Sequence, residues 1–306
     1  MANGYEIRER IASITETKKV TDAMYRISSA KMQKALREME KTRPYFEAVQ
    51  GEIAELLHYI PKTDNRYFHV PEPEAGSHGC HGILLVTSDR GLSGGYNETA
   101  IRTVVAYMDR HPETVVFILG EHGRQYFSSR HLPFDEEFRY CADLPTVWEA
   151  RRICADLLEY YRSGRVDDIH IIFTDFRNGR AGECRNDCLL PLERTRFPLR
   201  DNAGEGDKEF FPTPDEVLEG IVPSYLTGYI YSSLVDSYCS EQQARMIAMS
   251  TAGDNAEDML QKLQLQYNSV RQAAITREMT EITAGVRGLK RKREAMAKQS
   301  EGNGKR

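Results

Sequence analysis

The stretch ILLVTSDRGLSGGYNETAI, residues 83–101, carries an apolar run through a glycine-rich turn into a helical pattern. That arrangement can present backbone N–H groups and a helix N-terminus to a phosphate. The loop 88–97 lacks GxxxxGK[ST], however: no lysine or hydroxyl follows its glycines at the required spacing. It is not GxGxxG either. Its glycines suit a tight strand-to-helix turn, with the backbone and Arg90 facing a partner. A second cluster places His78, Cys80 and His81 together in SHGCHG, and ECRNDC adds Cys184 and Cys188. Zinc needs four convergent ligands, and this spacing matches no familiar zinc module. Free thiols in a reducing compartment are the simpler reading of the six scattered cysteines. The residues therefore imply no catalytic group, no cofactor and no metal.

The elements around this loop fall into three zones. In the first, apolar residues recur at helical steps: Ile7, Ile11, Ile14, then Val20, Met24, Ile27, then Phe46, Val49, Ile53, Leu56, Ile60. The last five step 3,4,3,4, a heptad seam. Pro44 is expected to kink this helix near Arg43, and Pro61 to end it. In the middle zone, β-rich runs at 83–87, 115–119 and 169–174 alternate with helical patterns through Ala100–Met108 and Val147–Tyr161. Continuous apolar strands separated by amphipathic helices predict a parallel sheet covered on its faces. In the third zone TPDE, 213–216, reads as a helix start, with Thr213 as cap, Pro214 in the first turn and Glu216 reaching back. Pro223 is expected to break or kink that piece. Beyond it, Ala256, Leu260, Leu263, Tyr267, Val270 and Ala274 form a second heptad seam.

A helix over about 224–292 would be roughly 100 Å long, more than an ordinary domain can cover. A long helix with one apolar stripe needs a partner. The chain has one such helix at each end. The expected fold is thus α/β plus coiled coil: a long antiparallel coiled coil of the N- and C-terminal helices with an inserted small α/β, Rossmann-like, domain. The boundaries read as 1–61 for the N-terminal helix, 80–197 for the α/β foot, 213–290 for the C-terminal helix and 291–306 for a basic tail. Small and polar seam residues suggest that part of the rod faces other chains.

Charge is uneven. The chain carries a net −5, yet residues 287–306 hold eight Lys and Arg against two Glu. No apolar run has signal-peptide or membrane-spanning length.

The two ends and the loop together resemble the gamma subunit, or central stalk, of the F-type rotary ATP synthase, over about residues 5–289. RERIASITETKKVTDAMYRISSAKM is similar to that family's N-terminal helix. SEQQARMIAMSTAGDNAEDM and YNSVRQAAITREMTEI are similar to its C-terminal helix, and TSDRGLSGGYN to its characteristic loop. The resemblance implies a non-catalytic shaft on the axis of a hexamer of alpha and beta subunits. Its foot would dock an epsilon-type subunit and a membrane rotor ring of c subunits that turns with proton or sodium flow. Nucleic acid is not an expected partner. The place implied is peripheral, on the cytoplasmic face of the cell (inner) membrane.

The resemblance also implies contacts. Arg271 and Gln272 would form a polar catch with a beta-subunit loop, and Met24 matches a position facing the beta subunits. Arg90, Phe210 and Phe211 would meet the epsilon subunit or membrane ring, although core packing suits the two phenylalanines equally. Two departures stand out. Gly253 occupies a position where the family string is expected to carry Thr, and KRKREAMAKQSEGNGKR extends past Leu289, where family chains usually stop. That tail reads as a solvated, frayed end or as an added contact with the hexamer. Some plant members carry an inserted regulatory cysteine pair, onto which these cysteines do not map. The competing readings are a nucleotide-dependent enzyme, which the loop argues against, and a non-rotary coiled-coil scaffold.

Overall fold

The computed structural model describes residues 4–60, 65–68, 79–177, 179–198 and 210–303, with side chains as far as Lys292. It separates into two units. One joins the residues up to Ala23 to those from Ser250 onward; the other holds Met24–Met249. The helices α1 (Gly4–Tyr59) and α5 (Pro214–Asn303) contribute to both.

The larger unit is built on β1 (His81–Val86), β2 (Thr114–Leu119), β3 (Asp168–Arg177) and β4 (Arg180–Leu190), in the order β2-β1-β3-β4. β1 pairs parallel with both β2 and β3, while β4 returns antiparallel to β3. Between the strands lie α2 (Tyr96–Met108), α3 (Glu121–Ser129) and α4 (Val147–Arg162). Strand alternation splits the apolar runs between two faces. Ile83, Leu85, Val116 and Ile118 pack with Ala100, Ile101 and Val104 of α2 and Phe127 of α3. Leu84, Val86, Phe117 and Leu119 pack on the other side, in a core shared with Ile153 and Leu157 of α4, Ile53 and Leu56 of α1, and Leu218, Val222 and Leu226 of α5. The three expected strands are present. β4 was not anticipated from the sequence.

Neither internal proline interrupts its helix: α1 runs through Pro44 and α5 through Pro223. Of the expected break or kink at Pro223, the break is absent, since α5 is continuous there. A proline forfeits one backbone hydrogen bond. Here Leu218 and Val222 before it and Leu226 after it are all buried in one core, and that packing holds the helix together. The start of α5 is as expected, with the Glu216 N–H donating to Thr213 Oγ1 at 3.3 Å. The Glu216 carboxylate accepts from the Thr213 hydroxyl, also at 3.3 Å.

The inward row of α1 differs from the apolar row read in the sequence. Ile7, Thr21, Ser28, Ala35, Val49 and Leu56, all buried, fall on one seven-residue repeat, whereas Val20 and Ile27 are each 56% exposed. A strict seven-residue row is the coiled-coil period. Its middle is filled by small and hydroxyl side chains, which a search for apolar letters passes over.

In the smaller unit, the N-terminal part of α1 pairs antiparallel with α5. A side chain on Gly4 would lie 3.7 Å from Val270, while one on Gly253 would lie 3.6 Å from Thr21 and Asp22. Lys18 pairs with Glu257. Gly253 thus has room for a side chain and lowers helix propensity with no steric need. Ala256 is buried, and Leu260, Leu263, Tyr267 and Val270 are half-buried, but Ala274 is exposed. The second seam ends at Val270, opposite the start of α1.

Candidate functional site

The loop between β1 and α2 pairs several of its polar groups within the larger unit, while Ser93 Oγ is buried without a hydrogen-bond partner. The Ser88 N–H donates to Asn97 Oδ1 at 2.9 Å, and Asn97 Nδ2 donates back to Ser88 Oγ at 2.7 Å. Asp89 reaches across to the next turn: its carboxylate accepts the Glu121 N–H at the start of α3 at 3.0 Å and the Ala142 N–H at 2.9 Å. A carboxylate suits the positive end of a helix. Tyr96 OH and Ser237 Oγ of α5 lie 2.7 Å apart. Leu92 and Gly94 take positive φ, 66° and 58°, which closes the turn.

One ion pair holds the exposed tip of this loop. Arg245 of α5 donates to the carbonyls of Arg90 and Gly91, each at 3.1 Å, and to Glu241 one turn earlier at 2.5 Å. The two side chains are only 10% and 7% exposed. Burial pushes the Glu241 carboxyl upward, and the Arg245 charge pulls it back. The Arg90 side chain is exposed above this anchor. The arrangement can display a cation at a fixed height beside α5. The Arg245 anchor was not singled out in the sequence, where Glu and Arg four apart read as an ordinary solvated helix pair.

Further along α5, half-buried Asp236 faces the charge of Asp175 on β3, which Arg177 pairs at 2.6 Å. Burial first, then the Asp175 charge, lifts Asp236 from 3.8 to about 7. The folded state therefore holds a proton that the unfolded chain has already released. The stability this confers is present below pH 4 and lost as pH rises through 7. Asp236→Asn should match the wild type near pH 4 and exceed it by about 2 kcal/mol at pH 8.5, a partial share of the full shift because the site is half-open. Urea unfolding at the two pH values checks this.

The remaining anticipated contacts are dispersed. Arg90, Met24, Phe210 and Phe211 belong to the larger unit, and Arg271 and Gln272 to the smaller. Phe210 and Arg90 lie at opposite ends of the α5 stretch in the larger unit, roughly 45 Å apart at 1.5 Å per residue. They do not form one site. The two phenylalanines also divide. Phe210 sits edge-on to Tyr59 at 5.3 Å and packs against the core, while Phe211 is 93% exposed. Met24 is half-buried on α1.

Arg271 and Gln272 are both exposed, as is every described side chain from there to Lys292. Ile275, Met279, Ile282, Val286 and Leu289 form an exposed stripe stepping 4,3,4,3 along this stretch. It is a heptad face with no partner among the described residues. The helix itself continues to Asn303.

His78 lies outside the described residues. The Cys80 N–H donates to Asp167 Oδ2 at 2.7 Å, and His81 Nδ1 lies 2.7 Å from Asp168 Oδ2. Cys184 and Cys188 lie on β4, opposite Thr174 and His170. All six cysteines are free, and burial raises the Cys188 thiol to about 11. Among the described residues no group of three or more His, Cys, Asp or Glu has the geometry to hold a metal ion. No helix among them is long and apolar enough to cross a membrane.

Known proteins share this arrangement. A family model described as ATP synthase matches residues 3–289. The ATP synthase gamma chain of Ruminiclostridium cellulolyticum is 35% identical over 297 residues, covering 94% of this chain and all of that one. The gamma chain of Alkaliphilus metalliredigens is 36% identical, covering 93% and 98%. Among solved structures, a chain of the Euglena gracilis mitochondrial ATP synthase, OSCP/F1/c-ring, superposes with a TM-score of 0.58 at 14% identity, covering 94% of each chain. The likeness to that structure carries the fold, the sequence relatives carry the family, and the chain belongs to the ATP synthase gamma-chain family.

Proposed function

We propose that the chain is the central rotary shaft of an F-type ATP synthase, coupling ion-driven turning of a membrane ring to conformational change in catalytic beta subunits. The observation that carries the mechanism is the lone helix from Arg271 to Lys292, with every side chain exposed and a heptad stripe along it. An isolated helix of this length is marginal in water. Its stripe calls for an apolar sleeve, which a ring of alpha and beta subunits around the helix supplies. Turning an asymmetric helix inside such a ring changes its contacts with each beta subunit in sequence. Differential contact is what shifts a partner between conformations. The chain is a component of the ATP synthase complex, and in this reading it does no chemistry itself.

Arg90 on its Arg245 anchor and exposed Phe211 are contacts at two levels: Arg90 beside α5, and Phe211 toward an epsilon-type subunit or the ring of c subunits. Met24 faces the beta subunits. The chain works peripherally, at the cytoplasmic face of the membrane. The tail past Leu289 lies outside the matched family region, and its removal should leave assembly and basal ATP hydrolysis nearly intact.

The test is at Arg271 and Gln272. An arginine fork pairs bidentately with a carboxylate in a way lysine cannot reproduce. A bond that must break as the shaft turns has a modest net value, about 1–3 kcal/mol. Arg271→Ala with Gln272→Ala should slow steady ATP turnover of the assembled complex several-fold and leave the melting temperature of the free chain unchanged. Unchanged turnover with normal assembly would remove the catch from the account.

A further inference from the structure

Three of the chain's eight histidines meet at one corner of the sheet, where β1 and β3 begin. The His81 and His111 rings lie 4.6 Å apart, His111 stacks on Tyr107 at 4.4 Å, and Tyr107 lies 5.5 Å from His170. A single carboxylate joins them. Asp168 Oδ2 lies 2.7 Å from His81 Nδ1, and Asp168 Oδ1 lies 3.8 Å from His170 Nε2. That second oxygen is buried without a hydrogen-bond partner. His170 Nδ1 lies 3.0 Å from Asn186 Oδ1, an oxygen that can only accept, so Nδ1 carries the proton there. The ring turns its Nε2 toward that carboxylate oxygen.

We propose that this corner is a proton-operated latch on the turn between α2 and β2. A proton on His111 has no seat of its own: its ring stands 4.6 Å from the His81 ring, whose Nδ1 already engages Asp168. Of the charges acting on it, Asp168 favours a proton there, while His81, Arg110 and His170 oppose it. From α2 comes Tyr107; from the turn come the cation Arg110 and Glu113, whose carbonyl accepts the His81 N–H at 2.8 Å. β4 contributes Cys188 and Asn186, and α4 contributes Tyr161. Beside Asp168, Asp167 is held by the Cys80 N–H. Burial, then the His81 and Arg110 charges, lower the affinity of His111 for a proton. A group that binds protons less well folded than unfolded loses stability as pH falls. His111 is also the anchor of the turn: its N–H donates to the Tyr107 carbonyl at 3.0 Å, and its carbonyl accepts from Thr114 Oγ1 at 2.6 Å. Repulsion that expels its ring frees Glu113 and the first residue of β1.

Amide hydrogen exchange on the full chain at pH 7.5 and 5.5, corrected for intrinsic rates, tests the latch. In the wild type, His81 should lose at least ~10-fold more protection than Leu84 on acidification. His111→Gln should abolish that excess, and His122→Gln, an exposed control, should keep it. If His111→Gln does not fold, His111→Phe preserves the stack on Tyr107 without the titrating nitrogen and carries the same expectation. Equal loss at His81 and Leu84 in the wild type, or an excess that persists without His111, would overturn the proposal.

Discussion

Arg245→Ala should destabilise the chain by about 3–5 kcal/mol, because it strands Glu241 in a buried site without its counter-charge. The same change releases the carbonyls of Arg90 and Gly91, so amide exchange across residues 88–95 should accelerate well beyond the global loss. The pair Glu241→Gln with Arg245→Met separates the two effects. Removing both charges together leaves no stranded ion and should recover most of the stability. The loop should stay mobile in that variant, since no donor reaches its carbonyls. Urea titration of both variants beside the wild type makes the comparison. A loss below about 1 kcal/mol for Arg245→Ala would mean that water replaces the guanidinium at little cost.

Gly120→Ala should be comparably severe, at about 3–5 kcal/mol, for a different reason. Gly120 holds φ at 95°, a region that side chains avoid, and an added Cβ would stand 2.3 Å from the Thr87 carbonyl oxygen. That oxygen is backbone and cannot swing away. Thr87 is itself fixed, its N–H and hydroxyl both donating to the Leu119 carbonyl at 2.9 and 2.8 Å. The strain would spread through the junction that also seats Asp89 and Ala142. Gly91→Ala is the matched control: nothing lies within 4 Å of its added Cβ, so its effect should stay within about 0.5 kcal/mol. Thermal melts of the two variants give the comparison directly.

Which features could be read from the sequence follows from the range of the forces involved. β1, β2 and β3 were legible because a strand buried on both faces is continuously apolar. β4 was not, because RAGECRNDCLL mixes charge with thiols along a partly open strand. The sequence dipeptide Asn178–Gly179 before it is a hairpin signal that could have found it. The break expected at Pro223 followed a local rule that packing on both sides of the residue overrode. The seam expected to reach Ala274 ends at Val270, because local periodicity says nothing about where the partner helix begins. Among the contact residues, exposure at Arg271 does not test its helical phase, since every described side chain from there to Lys292 is exposed, Ala274 included. The division of Phe210 from Phe211 depends on where Tyr59 falls, which no local pattern encodes. Arg245 was hidden for the same reason: only the fold brings α5 against a loop 154 residues earlier in the chain.

The central claim is that this chain turns inside a hexamer while ATP is consumed. Cys141 is exposed and can carry a probe, with Ser replacing half-buried Cys80, Cys184 and Cys188. The chain is assembled with its alpha and beta subunits, the hexamer is fixed to a surface, and the probe's orientation is followed after Mg-ATP is added. The account predicts stepwise rotation in one direction that speeds up with ATP concentration and stops when ATP is exhausted. A probe that keeps a fixed orientation while the same complexes hydrolyse ATP would contradict it.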